Sequence, residues 1–142
     1  MKIRKAKLND LNKLYKLMNS AKEIQTTNKK VYSKNLIKNC IKDPSVYFFV
    51  IEYNKKVIGV SLAALWKNIG TSYWDSIVID KNFRGKKLSK RLYQHYINTL
   101  KKHNIKYFWG IVKYNNYKIQ KILKKFGMKR QNLCYFYDRE IK

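Results

Sequence analysis

The spacing of apolar residues changes several times along the chain, and each change marks a predicted element. Residues 2–6 (KIRKA) alternate and predict a short first strand. In the following LNDLNKLYKLMNSA, Leu11, Leu14, Tyr15, Leu17 and Met18 share one helical face, and Asn9 or Asp10 is the expected N-cap. Positions 28–42 carry Val31, Leu36, Ile37, Cys40 and Ile41 and predict a second helix or helix pair. Asp43-Pro44 ends it, because a residue before proline avoids the helical region. VYFFVIEY (46–53), a turn at Asn54-Lys55-Lys56 and VIGVSLAALW (57–66) predict an antiparallel hairpin, and SYWDSIVI (72–79) a further strand. Leu88, Leu92, Tyr96 and Leu100 return to helical spacing. IKYFWGIV (105–112) predicts a buried strand. NNYKIQKILKKFG places Ile119, Ile122, Leu123 and Phe126 on one face of a helix closed by Gly127, and LCYFYDREI (133–141) predicts a last strand. The order β, α, α, three strands, α, β, α, β describes one mixed α/β (α+β) domain over residues 1–142, with no internal repeat or linker.

Composition narrows the classes. A chain of 142 residues has room for one ordinary domain, and 45% apolar or aromatic residues are enough to build its core. One proline and five glycines exclude collagen-like and linker-like chains. No apolar run approaches the roughly 18 residues of a membrane span. The opening MKIRKAKLND lacks the apolar stretch of a secretory signal, so a cytoplasmic location is expected. Cys40 and Cys134 stand apart in apolar contexts with no CxxC, which predicts reduced core thiols and no metal site.

Charge is the departure from the ordinary: 33 Lys+Arg against 8 Asp+Glu give a formal net charge of +25. A phosphate-rich partner is the first reading of such a value. Yet lysines outnumber arginines by 28 to 5 and run from Lys2 to Lys142 without forming a block. Nucleic-acid readers favour arginine for bidentate contacts, so the dispersed lysines read as a solvated coat.

Local charge carries more. In IVIDKNFRGKKLSKRL (77–92) a strand runs through a short loop into an amphipathic helix. The first turn of such a helix has unpaired N–H groups and the positive end of the helix dipole. Gly85 permits close approach, and Arg84, Lys86, Lys87 and Lys90 add positive charge at the same point. The junction is suited to a phosphate or pyrophosphate. It is neither a Walker loop nor a GxGxxG fingerprint.

These segments together resemble the GNAT superfamily of acetyl-CoA-dependent N-acetyltransferases. IRKAKLNDLNKLYKLM is similar to the family's opening strand and helix, and VYFFVIEYNKKVIGVSLAALW to its second and third strands. YWDSIVIDKNFRGKKLSKRL is similar to the fourth strand and pyrophosphate loop, and IKYFWGIVKYNNYKIQKILKKFGMK to the fifth strand and its following helix. The resemblance implies a mostly antiparallel central sheet with flanking helices and a splay between the fourth and fifth strands. It implies that Ile77, Val78 and Ile79 bond the acetyl and pantetheine amides of acetyl-CoA through their main chain. Gly85, Leu88 and Ser89, together with Arg84, Lys86, Lys87 and Lys90, would cradle the pyrophosphate, and Asn116 would meet the pantetheine arm.

Three positions depart from the family pattern. Lys87 stands where the loop carries glycine, either crowding the backbone or lending its ammonium to the phosphates. Ser89 replaces a smaller residue. Leu123 stands where many members carry a tyrosine acid; it shares a face with Ile119 and Phe126 and reads as core, which leaves Tyr114 and Tyr117 as alternatives.

Acetyl transfer to an amine needs a proton acceptor. Among so few carboxylates, Asp10, Asp43, Asp138 and Glu140 lie at element ends, Glu23 in a polar segment, Glu52 beside a turn and Asp80 at the phosphate loop. Asp75 lies inside a strand, where strict alternation gives it the face of Ile77 and Ile79. It also matches the place where several family members hold a catalytic glutamate. His95 and His103 read as structural or solvent-exposed. The expected reaction is acetyl transfer from acetyl-CoA to a small-molecule or peptide amine, by a monomer or homodimer with no membrane partner. The alternative is a basic nucleic-acid or ribosome-associated binding module on the same scaffold, without catalysis.

Overall fold

The computed structural model describes residues 1–21 and 32–131. Strands β1 (Lys2–Lys5) and β2 (Val46–Tyr53) pair antiparallel, as do β2 and β3 (Lys56–Trp66). The β2–β3 turn has positive φ at both Asn54 and Lys55, the two-residue form whose twist suits a hairpin. β4 (Thr71–Ile79) adds antiparallel to β3, and β5 (Tyr107–Trp109) adds parallel to β4, giving the order β1-β2-β3-β4-β5.

Helices cover both faces of this sheet. From α1 (Leu11–Asn19) and α2 (Lys34–Lys42), Leu14, Leu17, Met18 and Ile37 pack on Phe48, Val50, Val60, Leu62 and Val78. On the opposite face α3 (Leu88–Lys102) sets Tyr96 and Leu100 against Tyr47, Leu65 and Trp74, and Leu88 and Leu92 against Ile51 and Ile58. α4 (Tyr117–Lys125) is joined to α3 where the Tyr93 and Phe126 rings stack with centroids 4.2 Å apart. A twice-covered sheet has no water-facing side, so β2 and β3 read as near-continuous apolar runs. The mixed, mostly antiparallel architecture is the one expected.

Several boundaries differ from expectation, each for a local reason. Residues Leu8–Asp10 form a 3₁₀ turn, and Asp10 does not cap α1 because its carboxylate is taken by Arg4 and the Lys7 N–H. Arg4 bonds both Asp10 oxygens at 2.7 and 2.9 Å and reaches Glu52 at 2.6 Å, so one guanidinium ties β1 to the turn and to β2. Ser33, not singled out in the sequence, caps α2 by accepting the Leu36 N–H at 3.1 Å. β5 covers only Tyr107–Trp109, and it is not a buried strand: Tyr107 is 59% exposed, whereas Ile105 turns its N–H back to Leu100 O. Gly127 closes α4 as expected, with the Met128 N–H donating to Leu123 O. Cys40 is a half-buried free thiol. The strand predicted at 133–141, with Cys134, Asp138 and Glu140, lies outside the described residues, as do Glu23 and Val31.

The expected splay has a definite origin. Pairing between β4 and β5 ends at Tyr73↔Trp109, while β4 runs on to Ile79. At the parting point Gly110 lies so close to β4 that a Cβ there would stand 2.7 Å from Trp74 O. Gly110→Ala is therefore expected to force the strands apart and cost about 1–3 kcal/mol. Thermal unfolding reads this, and an unchanged midpoint would rule out the close approach.

Candidate active site

β4 carries the site because its alternation breaks. Leu62 pairs with Ser76 and Ala63 with Trp74, so Asp75 is an extra residue with no partner on β3. Leu62 belongs to the core under α1 and α2, whereas Ala63 and Trp74 belong to the core under α3. Ser76 and Trp74, two apart, thus face opposite sides, as a β-bulge requires. The Tyr32 O–H donates to Asp75 Oδ2, and Tyr32 packs on the α1/α2 side. The expectation that Asp75 shares the face of Ile77 and Ile79 is therefore corrected: those isoleucines pack on the α3 side, and the bulge turns Asp75 to the other face beside Ser76.

Of the described carboxylates, Asp75 alone is met by neither a cation nor a backbone N–H. Asp10 and Glu52 are held by Arg4. Asp43 accepts from the backbone N–H and hydroxyl of Ser45, and Asp80 accepts from the Asn82 N–H. Asp75 is mostly buried, which raises its pKa above the usual carboxylate range against the opposing hydroxyls of Tyr32 first and Ser76 second. Burial and the nearby Asp75 charge also push up the Cys40 thiol and the Tyr73 phenol. Ser76 Oγ is buried beside the Asp75 carboxylate and the Tyr32 phenol, yet makes no well-formed hydrogen bond to any described residue.

Beyond the bulge, β4 leads to the positive loop. The Asp80 N–H donates to Ile58 O, toward β3. Alternation then turns the main chain of Val78 toward β3 and that of Ile77 and Ile79 toward the edge left open by β5. Arg84 Nε donates to Ile79 O at 3.1 Å, which sets the guanidinium at the end of that edge. Gly85 and Lys87 have φ of +79° and +57°. The departure from glycine at 87 thus leaves a lysine in a left-handed conformation, which costs about 1 kcal/mol. No side chain caps α3, so the N–H groups of Leu88, Ser89 and Lys90 are without intrahelical acceptors. The Leu88 side chain is core, leaving only its main chain for a ligand. Lys86 Nζ lies 5.3 Å from the centre of the Phe83 ring. A cleft of about 470 Å³ opens beside the loop, lined by Lys13, Lys16, Lys81, Asn82 and Arg84 among others.

The remaining candidates are placed as follows. Asn116 caps α4 by accepting the Ile119 N–H at 3.3 Å. Leu123 packs in the core under α3 and α4, while Tyr114 and Tyr117 are exposed. His95 shares a 2.9 Å hydrogen bond with Tyr47 and lies on the α3 side, away from Asp75. Sequence patterning missed Tyr32 and Ser76. Tyr32 follows a polar stretch with no period, and strict alternation sets Ser76 on the face opposite to Asp75.

Residues 11–128 match the acetyltransferase (GNAT) family. No curated protein matches the chain. Among solved structures, the PaiA N-acetyltransferase of Thermoplasma acidophilum, in complex with coenzyme A, superposes with a TM-score of 0.83 at 18% identity, covering 94% of this chain and 92% of that one. The aminoglycoside 6'-N-acetyltransferase of Acinetobacter haemolyticus gives 0.80 at 12% identity over 100% of both chains. The ribosomal-protein-S18-alanine N-acetyltransferase of Escherichia coli gives 0.75 at 16%, covering 92% of this chain and 79% of that one. No helix among the described residues is long and apolar enough to cross a membrane.

Proposed function

That the chain belongs to the acetyltransferase (GNAT) family is the premise from which we propose that it moves an acetyl group from acetyl-CoA to a primary amine, by direct attack in a ternary complex. The family uses acetyl-CoA, and a structural neighbour was crystallised with coenzyme A. The residues fit that group. The open edge of β4 at Ile77 and Ile79 suits the pantetheine amides, with Val78 between them holding β4 to β3. Arg84, Lys86, Lys87 and Lys90, with the uncapped amides of Gly85 to Ser89, suit the pyrophosphate. Asn116 would stand beside the pantetheine arm through the amide nitrogen that its cap leaves free. When bound, acetyl-CoA supplies an acetyl thioester already activated toward amines. A main-chain N–H on the open edge is the donor for the developing oxyanion.

One observation carries the reading: the only described carboxylate met by neither a cation nor a backbone N–H stands at the bulge of the strand that also bears the open edge. Asp75 takes the proton of the acceptor amine. Its raised pKa makes it a stronger base than an exposed aspartate. The acceptor is a small-molecule or peptide amine, and the chain acts as one domain over residues 1–142.

Melting in the presence of acetyl-CoA tests the donor. At a hundredfold excess over Kd the complex gains about 2.7 kcal/mol, and the rise should persist at high salt. No rise, with salt-sensitive retention on nucleic acid, would favour the noncatalytic basic module instead. Thiol release from acetyl-CoA with spermidine, L-lysine, tyramine and an alanyl peptide then sorts the acceptor class.

A further inference from the structure

Asp75 is approached by a residue whose own backbone is unusually well held. Asn19, the last residue of α1, accepts the Tyr32 N–H on Oδ1 at 3.1 Å and donates from Nδ2 to Tyr32 O at 3.0 Å. The same Nδ2 bonds Tyr15 O at 2.9 Å, so the amide is anchored to its own helix. One side-chain amide thereby pairs with both main-chain groups of Tyr32, as a neighbouring strand would. The phenol carried by that backbone ends on Asp75 Oδ2.

We infer that Tyr32 is a positioning residue for acetyl transfer: pinned through its main chain by Asn19, it holds one oxygen of Asp75 and leaves the other, beside the hydroxyl of Ser76, for the acceptor amine. The inference rests on the proposed reaction. Three observations converge on it. The bulge sets Asp75 and Ser76 side by side on the α1/α2 face. Ser76 is 6% exposed, and its Oγ makes no well-formed hydrogen bond to any described residue, which is costly unless a ligand or water completes it. Asp75 Oδ2 has its donor in Tyr32, and the one other hydroxyl that acts on the carboxylate among the described residues is that of Ser76.

The surroundings make the phenol the main control on this carboxylate. The titratable groups around Asp75 are Tyr32 before α2, Cys40 on α2 and Tyr73 on β4. No lysine or arginine among the described residues pairs with it, in a chain of net charge +25. The Tyr32 phenol is itself pushed up by burial first and by the Asp75 charge second, so it stays protonated and keeps donating. Tyr32 therefore fixes direction and basicity together, and an amine approaches between Oδ1 and Ser76 Oγ.

Carbon-13 titration of aspartate-labelled protein tests the assignment without an acceptor, since the chain has five aspartates and Asp75→Asn identifies the signal. Tyr32→Phe removes one oxygen and should move the Asp75 midpoint upward, because the lost bond favoured the ionised form. Asn19→Ala, which touches no atom of Asp75, should move the same midpoint in the same direction by loosening Tyr32. With an amine from the acceptor series that turns over, kcat/KM in both variants should fall by about tenfold below the midpoint and recover at high pH. Stabilisation by acetyl-CoA should be unchanged. Wild-type midpoints in both variants overturn the inference, as does an Asn19→Ala protein that melts lower yet titrates like wild type. Shifted midpoints with no thiol release from wild-type protein support the Tyr32 contact and refute the transfer reaction.

Discussion

Asp75→Asn is expected to lower kcat by about 10²- to 10⁴-fold near neutral pH, while acetyl-CoA still raises the melting temperature. The variant keeps an oxygen to accept from Tyr32 and keeps the volume of the side chain, so what it removes is the base. In the parent, kcat/KM should fall with decreasing pH through an Asp75 midpoint lying above the ordinary carboxylate value, and the variant should lose that limb. Stability should move the other way. A carboxyl whose folded pKa is raised binds its proton more tightly when folded, so ionising it weakens the fold as pH rises. The desolvation penalty is thus present at neutral pH and disappears in acid, and Asp75→Asn should melt no lower than the parent at pH 7. Unchanged turnover near neutral pH would remove Asp75 from the role.

Arg4→Ala is expected to be the most damaging single change to stability, at about 3 kcal/mol, the low end for breaking a buried pair. For a chain of this length that is roughly 10 °C in melting temperature. Burial by itself would raise the Asp10 carboxyl, but the bonds from Arg4 and from the Lys7 N–H outweigh it and hold it below the usual range. Without the guanidinium a carboxylate whose residue is 5% exposed keeps only one backbone donor. A depressed folded pKa contributes stability above the unfolded value, and that contribution is lost as pH falls through the folded one. The gap between parent and variant should therefore be widest at neutral pH and narrow in acid. The double variant Arg4→Met, Asp10→Asn should recover most of the loss, because no buried charge remains. A single variant as stable as the parent would show that the pair holds nothing together.

The elements were legible because their causes are local. Leu88, Leu92, Tyr96 and Leu100 all reach the core from one helical face, and the near-continuous apolar runs of β2 and β3 reflect helices on both sides. The loop from Arg84 to Lys90 was legible for the same reason, since a helix start and its charges lie within a few residues of each other. The surroundings of Asp75 were not. Its face is set by one unpaired residue opposite Leu62 and Ala63, and nothing in the order of TSYWDSIVI shows where a neighbouring strand falls out of step. Tyr32 meets Asp75 across 43 positions, a contact no window of sequence can contain. The task of Arg4 was hidden likewise: KIRKA alternates like any short strand, while the two carboxylates it holds come from a turn and from β2. Asp10 looked like a helix cap because a cap and a buried ion pair use the same residue at the same place.

The bulge also says which changes β4 can absorb. To its left, Trp74 points toward α3; to its right, Ser76 points toward α1 and α2, and the extra residue reconciles the two. Deleting that one position would set Trp74 and Ser76 side by side opposite Ala63 and Leu62, a regular ladder with every remaining side chain on its present face. Trp74 and Ser72 would keep their bonds to Ser61 and Tyr96, and only the carboxylate held by Tyr32 would be gone. β4 thus carries one residue more than its pairing with β3 needs, and that residue is the carboxylate. Among related sequences a strand one residue shorter here would keep the sheet and lose the acid, so its length is as telling as the identity of the residue at the bulge.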